Sequence, residues 1–304
     1  MLAFLPAWLI GFISWTLYWL NSFLWFIPLF SFAVIKIIPI DGVRKQVSYV
    51  LDFCASFWVS VNTWIQNLTI KTEWDIQGVD NLERNEWYMV LANHQSWVDI
   101  MVVQRILSGK VPFVKFFLKR ELLYVPFFGL AWWALDYPFM VRYNKKFLRK
   151  NPHLKGKDVE TTKKACEKFR YKPVSVLNFA EGTRFTTDKH QRQQSGYQHL
   201  LKPKAGGTAF VLGAMSESLH KVIDITIFYP DGIPSFWQFL SGQVRKVVVR
   251  VKVEDITEDM LGDYNNDTEY RTRIQKHINQ RWQQKDELMQ SLASAHPEID
   301  EAGH

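Results

Sequence analysis

Along the first 35 residues apolar positions run almost without interruption, and no Asp, Glu, Lys, Arg or His occurs before Lys36. Taken as one helix rising about 1.5 Å per residue, this stretch reaches roughly 52 Å, well beyond a hydrocarbon core of about 30 Å. Asn21-Ser22 and Pro28 are candidate break points. A tilted span, two short spans and an interfacial hairpin all fit that pattern. A cleaved signal peptide fits poorly, because a basic n-region is missing and the apolar stretch is too long. Buried helices of soluble proteins are seldom charge-free for so long, so the expectation is membrane attachment.

Beyond residue 42 the pattern alternates between helical and strand periods. Val43–Asn67 reads as an amphipathic helix and Ile70–Ile76 as a strand. Tyr88–Ala92 is a short apolar strand, followed by a helix from about Trp97 to Leu107. Val174–Phe179 and Lys221–Phe228 read as strands, with helices over Lys163–Tyr171 and Thr208–Ser218. Lys246–Val253 is a last strand and Tyr270–Ala295 a polar amphipathic helix. Such alternation predicts an α/β domain with a largely buried sheet. In Leu122–Val141 the sole charge is Asp136, and Pro126, Gly129 and Pro138 make the stretch a poor helix; it reads as a hydrophobic wall or a membrane-dipping segment. Three parts follow: an anchor over 1–42, a main domain over 43–255 and an acidic, mostly helical tail over 256–304.

Composition changes this picture in two ways. Aromatic residues make up 15% of the chain, which excludes intrinsic disorder, and two cysteines, Cys54 and Cys166, exclude a disulfide framework and a four-cysteine zinc site. The mean hydropathy of −0.14 looks soluble only because it averages a charge-free start with a polar remainder. The net charge of +7 is likewise uneven: Lys110–Lys172 holds 16 basic against five acidic residues, and Glu254 to the end holds five against 12. A basic middle suits a membrane surface, a nucleic acid or an anionic ligand. Lys36, Arg44 and Lys45 follow the apolar start at once, so the positive-inside rule puts the remainder in the cytoplasm. Trp8, Trp15, Trp19 and Trp25 suit the membrane–water interface.

H-E-x-x-H, C-x-x-C, the phosphate-loop G-x-x-x-x-G-K-[ST] and G-x-S-x-G are all absent. Three clusters remain. In the first, strand Tyr88–Ala92 runs into Asn93-His94-Gln95-Ser96-Trp97-Val98-Asp99. Asp99 could hold one imidazole nitrogen of His94 and leave the other to accept a proton; equally, Ser96 and Asp99 form the S-x-x-D of a helix capping box. The second is Phe179-Ala180-Glu181-Gly182-Thr183-Arg184, where a glycine permits close approach and Arg184 offers a planar fork to a phosphate. As a surface turn with a local ion pair it would carry no function. The third, Lys115–Arg120 with Glu121, leads into the apolar 122–141 stretch. It suits a ligand with an anionic head and a greasy tail, or is simply a solvated charged face.

In this order the clusters resemble the glycerolipid (1-acylglycerol-3-phosphate) acyltransferase family over roughly residues 70–235. Asn93-His94-Gln95-Ser96…Asp99 is similar to its first motif, and Phe117-Leu118-Lys119-Arg120-Glu121-Leu122…Pro126…Gly129 to its second. Glu181-Gly182-Thr183-Arg184 resembles the third, and the strand ending at Tyr229-Pro230 the fourth. Ala180 stands where the family commonly has Pro, and Phe185 where Ser or Thr is common; with His199-Leu200-Leu201 and Pro203-Lys204, this resembles a phospholipid-remodelling branch, the YihG type among bacterial members. The resemblance implies an α/β fold with an acyltransferase-like central sheet flanked by helices, plus the N-terminal hydrophobic membrane segment, in a bacterial inner membrane with its catalytic domain facing the cytoplasm.

It also implies acyl transfer from a thioester, acyl-CoA or acyl carrier protein, to the hydroxyl of a lysophospholipid, foremost lysophosphatidic acid. His94 would be general base and Asp99 its orienter. Arg184, Gly182 and Thr183, helped by Lys119 or Lys204, would hold the acceptor phosphate, and Glu181 the glycerol or Arg184. Pro126, Gly129 and Pro230 would shape the acyl pocket or the fold. Backbone N–H groups opening the helix after Ser96 are candidates for steadying the oxyanion. A thioester is already activated, so neither Cys54 nor Cys166 is needed as a nucleophile, and no metal or redox cofactor is implied. The expected partners are the phospholipid membrane, the lysophospholipid and the acyl donor, with no nucleic acid. The alternative is a membrane-anchored adaptor that binds anionic lipid or nucleic acid through Arg142–Lys172 without catalysis.

Overall fold

The computed structural model describes residues 2, 4–140, 166, 169, 172–264 and 266–295. The apolar start forms one continuous helix, α1 (Ala7–Ile35), with Pro28 inside it. The candidate break points at Asn21-Ser22 and Pro28 do not interrupt it, and Asn21 and Ser22 have partners on α2 (Asp41–Thr69). Asn21 Nδ2 donates to Asn62 Oδ1 at 2.8 Å and to Trp58 O at 3.1 Å, and Trp58 Nε1 donates to Ser22 Oγ at 3.3 Å. Polar groups that would be turn-formers in isolation instead zip the two helices together. Pro28 removes one backbone donor, and neighbouring turns packed on α2 carry the helix past it. Leu2 N–H donates to Leu68 O at 3.0 Å, so α1 and α2 form an antiparallel hairpin. On α2 the buried Val47, Leu51, Cys54, Ala55, Val59, Asn62 and Ile65 recur at three- and four-residue spacing, one helical stripe facing α1 and the main domain.

The sheet has six strands in the order β1-β8-β7-β2-β6-β3. These are β1 (Glu73–Gln77), β2 (Tyr88–Ala92), β3 (Val114–Phe116), β6 (Ser175–Phe179), β7 (Lys221–Phe228) and β8 (Lys246–Asp255). β7, β2, β6 and β3 run parallel; β8 is antiparallel to β7 and parallel to β1. The central strand β2 is buried at every position, as a strand covered on both faces must be. Its alternate residues serve different layers. Met89 and Leu91 pack with Leu212, Tyr270 and Trp282, whereas Tyr88, Val90 and Ala92 pack with Val98, Val102 and Phe239. Helices α3 (Val98–Leu107) and α7 (Phe236–Leu240) cover one face, and α6 (Ala205–Ala214) and α8 (Thr268–Ser294) the other.

Several expectations are corrected. The segment read as an acidic tail belongs to the core: Tyr270, Ile274, Ile278, Trp282 and Met289 of α8 are buried there. Within the apolar 122–141 stretch a short helix, α4 (Phe128–Ala134), does form, between the minimal strands β4 (Leu118–Lys119) and β5 (Phe139–Met140). Gly129 permits it, since a Cβ there would stand 2.0 Å from Leu123 O. The helix expected over Lys163–Tyr171, and most of the basic segment 142–172, lie outside the described residues. A two-turn helix, α5 (Thr187–Gln193), follows β6 and was not legible as such.

Candidate active site

Parallel strands β2 and β6 end side by side, with Ala92 opposite Phe179, so the segments that follow them meet. His94 and Glu181 are the first charged or titratable residues after each strand. His94 Nδ1 lies 2.9 Å from Asp99 Oδ2, and the Phe179 ring stacks beneath the imidazole with centroids 3.9 Å apart. Asp99 is fully buried. Its Oδ2 also accepts the N–H groups of Gln95 at 2.6 Å and Ser96 at 2.8 Å, and its Oδ1 accepts the Tyr229 hydroxyl at 2.6 Å. A carboxylate with this many donors is an acceptor only. His94 Nδ1 therefore carries the proton toward Asp99, and Nε2 is left with its lone pair.

Asp99 orients His94, while the capping box expected of Ser96 and Asp99 does not form: α3 is capped at Trp97 with no side-chain cap hydrogen bond, and the Asp99 N–H goes to Ser96 O. Ser96 Oγ accepts from Val98 N–H at 3.2 Å and donates to Pro234 O at 2.5 Å. The N–H groups of Gln95 and Ser96 are consumed by Asp99, and that of Val98 by Ser96 Oγ.

Glu181 departs from its expected role. It is fully buried, with Oε1 accepting His94 N–H at 2.9 Å and Oε2 accepting Leu201 N–H at 3.1 Å. It contacts neither Arg184 nor open space, and it clamps the His94 backbone to the 195–204 segment. Burial pushes its carboxyl up to about 8, against the two N–H bonds that favour the charged form. A second clamp comes from α8, where Asp286 accepts Gln198 N–H and His199 N–H, each at 2.7 Å.

The other residues of the third motif follow in the loop after Phe179, the ring stacked on the imidazole. Gly182 adopts φ 70°, where a side chain is strained, and a Cβ there would lie 3.7 Å from Lys204 Nζ. Lys204 N–H donates to Ala180 O at 2.8 Å, and Phe185 N–H to His94 O at 2.8 Å. Arg184 is exposed, its guanidinium 4.5 Å above the Trp97 ring. Gly182, Thr183 and Arg184 thus lie in the loop between Phe179, which stacks on His94, and Phe185, whose N–H meets the His94 carbonyl, with Lys204 beside Gly182. Lys119 is exposed on β4, and Pro126 is exposed before the turn at Phe127. Pro230 is buried directly after Tyr229. The basic run splits, since Lys115 is fully buried beside Asp52, 3.1 Å away.

Two residues escaped the reading from sequence. Tyr229 belongs to the fourth motif, but its role as a donor to Asp99 needed the pairing of β7 with β2. Burial and the Asp99 charge hold its hydroxyl well above the ordinary range, so it remains a donor. Lys189, on α5, donates to Thr183 Oγ1 and Arg184 O, both at 2.9 Å, adding a cation beside the loop. Both cysteines are buried, and burial pushes the Cys166 thiol up to about 12, far from a thiolate nucleophile.

A family model described as Acyltransferase matches residues 73–229. A mouse 1-acyl-sn-glycerol-3-phosphate acyltransferase delta is 28% identical over 189 residues, covering 56% of this chain and 47% of that protein. A 1-acyl-sn-glycerol-3-phosphate acyltransferase from Pseudomonas aeruginosa is 29% identical over 194 residues, covering 64% of this chain and 62% of that one. The chain thus spans about half to three fifths of the length of these curated relatives. The crystal structure of the 1-acyl-sn-glycerophosphate acyltransferase PlsC from Thermotoga maritima aligns at 17% identity and a TM-score of 0.43, covering 88% of this chain and 97% of that one.

Proposed function

The chain belongs to the acyltransferase family, and on that premise we propose that it moves a fatty acyl group from a thioester to the free hydroxyl of a lysophospholipid, with lysophosphatidic acid as acceptor and phosphatidic acid as product. The observation that carries the mechanism is the His94–Asp99 pair at 2.9 Å, which leaves Nε2 as the base. Nε2 takes the hydroxyl proton as the oxygen attacks the thioester carbonyl. The tetrahedral oxyanion collapses, the C–S bond breaks, and the departing thiolate takes the proton back from the imidazolium. Such a base contributes about 10²–10⁴ in rate. Asp99 holds the imidazole and stabilises its charged form, and Tyr229 and two backbone N–H groups hold Asp99.

Arg184 and Lys204 supply cations for the acceptor phosphate, at about 1.5–3 kcal/mol for each charge-assisted bond. Gly182 lets that phosphate approach the backbone. Glu181 acts through the chain trace and positions His94. The donor is acyl-CoA or acyl carrier protein, and since its thioester is already activated, no resident cofactor enters the steps. The departures at Ala180 and Phe185 favour the branch of the YihG type.

The reading also includes attachment to a bacterial inner membrane on its cytoplasmic side. Among the described residues α1 is the one helix long and apolar enough to cross a bilayer. Its support here is as an interfacial element. α1 packs along the domain, with Gly11 against Trp237 near one end and Phe23 and Phe26 against Phe127 farther along. Trp8, Phe12, Leu24, Phe53 and Trp64 of the hairpin are exposed, an apolar face of the kind that lies in a leaflet. Labelled oleoyl-CoA and a panel of lysophospholipids, offered to membranes holding the protein, test the function. Transfer to lysophosphatidic acid is expected, together with its loss in His94→Ala while membrane attachment persists. Full transfer by His94→Ala would overturn the mechanism.

A further inference from the structure

At the turn joining α1 and α2 a cavity of about 550 Å³ opens, lined by Lys36, Arg44, Lys45 and Lys172 together with Trp133 and Asp136. Its charged lining holds four cations against two carboxylates, Asp41 and Asp136. Behind the lining, Lys172 Nζ lies 2.5 Å from Asp52 Oδ2, and the same carboxylate faces the buried Lys115. One acid thus serves two lysines, and Lys115 Nζ has no hydrogen-bond partner among the described residues. Burial and the neighbouring Lys115 pull the Lys172 ammonium down to about 8. Excess buried positive charge of this kind is stabilised by a bound anion.

The cavity stands apart from the imidazole. Lys172 lies before the start of β6 at Ser175, and His94 lies at the far end of that five-residue strand, where Phe179 stacks on it. The rim of the cavity is apolar: Ile37, Ile38 and Ile40 of the turn are all exposed. Cations flanked by exposed aliphatic side chains, at one end of an apolar hairpin, match a phosphate that carries chains better than a free one.

We propose that this cavity is a second phosphate site, separate from the His94 site, which seats the headgroup of an anionic phospholipid at the hairpin turn. Arg44 and Lys45 are its accessible cations. The Arg44 side chain already braces the turn through Nε donating to Ile38 O at 3.1 Å, and Lys45 is exposed beside it.

The test measures sedimentation of the full chain with vesicles of phosphatidylcholine alone, or of phosphatidylcholine with phosphatidylglycerol. Each juxtamembrane cation contributes about fivefold in partitioning, so R44Q/K45Q should bind the anionic vesicles about 25-fold more weakly and the neutral ones unchanged. A control, R271Q/K276Q, removes the same charge from exposed positions on α8 across the sheet and should bind as the parent does. Equal losses for both pairs, or no loss for either, would overturn the proposal. If R44Q/K45Q fails to fold, Lys45→Gln alone should show about a fivefold loss. Two further arms separate the sources of phosphate. Soluble glycerol 3-phosphate should not displace bound protein; displacement that erases the difference between variants assigns the cavity to a free phosphate ester. In neutral detergent the KM for oleoyl-CoA should be the same for R44Q/K45Q and the parent; a raised KM assigns the cavity to the donor's phosphates and rejects the lipid.

Discussion

Asp99 and Asp52 are both aspartates set into the protein interior beside basic groups, yet their surroundings differ in kind. Asp99 faces donors that carry little or no net charge: two backbone N–H groups, a tyrosine hydroxyl and an imidazole. Asp52 faces two lysines: Lys172 is hydrogen-bonded to it and to Ser48 O, whereas Lys115 has only an ion pair at 3.1 Å. The first arrangement is closed. Both carboxylate oxygens have directed donors, and the result is a rigid tautomer for a base. The second is open, with positive charge in surplus and a cavity next to it. A saturated carboxylate fixes geometry, and an overdrawn one leaves a demand that something outside the chain can meet.

Breaking the closed side should have the largest effect. Asp99→Asn presents an amide N–H₂ to groups that are themselves donors, so kcat is expected to fall about 10²–10⁴-fold with KM little changed, read by steady-state acyl transfer. On the open side, Asp52→Asn strands Lys115 and Lys172 without a carboxylate, and a loss of about 3–5 kcal/mol is expected in denaturant unfolding. That loss should appear in stability and spare the pH profile of kcat, since Asp52 pairs with Lys115 and Lys172 and has no contact with His94 or Asp99. Tyr229→Phe removes one donor from Asp99 and keeps the ring. It should cost about 1.5–3 kcal/mol of stability, and a fall in kcat beyond what folding explains would show that Asp99 needs its fourth donor to hold His94.

The smallest effects sharpen the contrast through pH. Glu181 has its folded value raised from 4.5 to about 8, so the native state holds more protons than the unfolded chain in that window, and its contribution to stability falls as pH rises from about 4.5 to 8. Lys172 has its folded value lowered from 10.5 to about 8. The unfolded chain then holds more protons between about 8 and 10.5, and stability rises with pH there. Glu181→Gln should flatten the first slope alone and Lys172→Met the second alone, both read from melting temperatures across pH.

What could be read from sequence follows a physical divide. β2 was legible because a strand buried on both faces is an unbroken apolar run, and β6 and β7 because apolar residues still dominate them around Ser175, Asn178, Asp224 and Thr226. The His94–Asp99 pair was legible because one turn of chain joins the two residues. Tyr229 was hidden as a partner of Asp99 because it is 130 positions away and arrives only through the parallel register that sets Ala92 against Ile225. Glu181 looked like a ligand for substrate because a carboxylate beside an arginine usually reaches outward; only the chain path after β6 turns it inward to two backbone N–H groups. Asn21 failed as a break point for the converse reason, since its partner, Asn62, sits on another helix. The α8 helix looked like a tail because its many charged and polar positions outnumber a narrow apolar stripe, and that stripe covers the sheet.

The Asn21–Asn62 contact in the hairpin also acts as a length gauge. Two amides that meet at 2.8 Å lose each other if either helix slides by one turn, about 5.4 Å. Each inserted residue in α1 between Asn21 and Lys36 would advance Lys36 by about 1.5 Å and swing it about 100° around the axis. Lys36, whose Nζ lies 2.5 Å from Asp136 Oδ2, could then no longer reach it while Gly11 stays seated on Trp237. The interval between the reaction end and the basic end of the molecule is thus counted in whole helical turns, and a change in that count should uncouple the two ends even where every residue at each of them is kept.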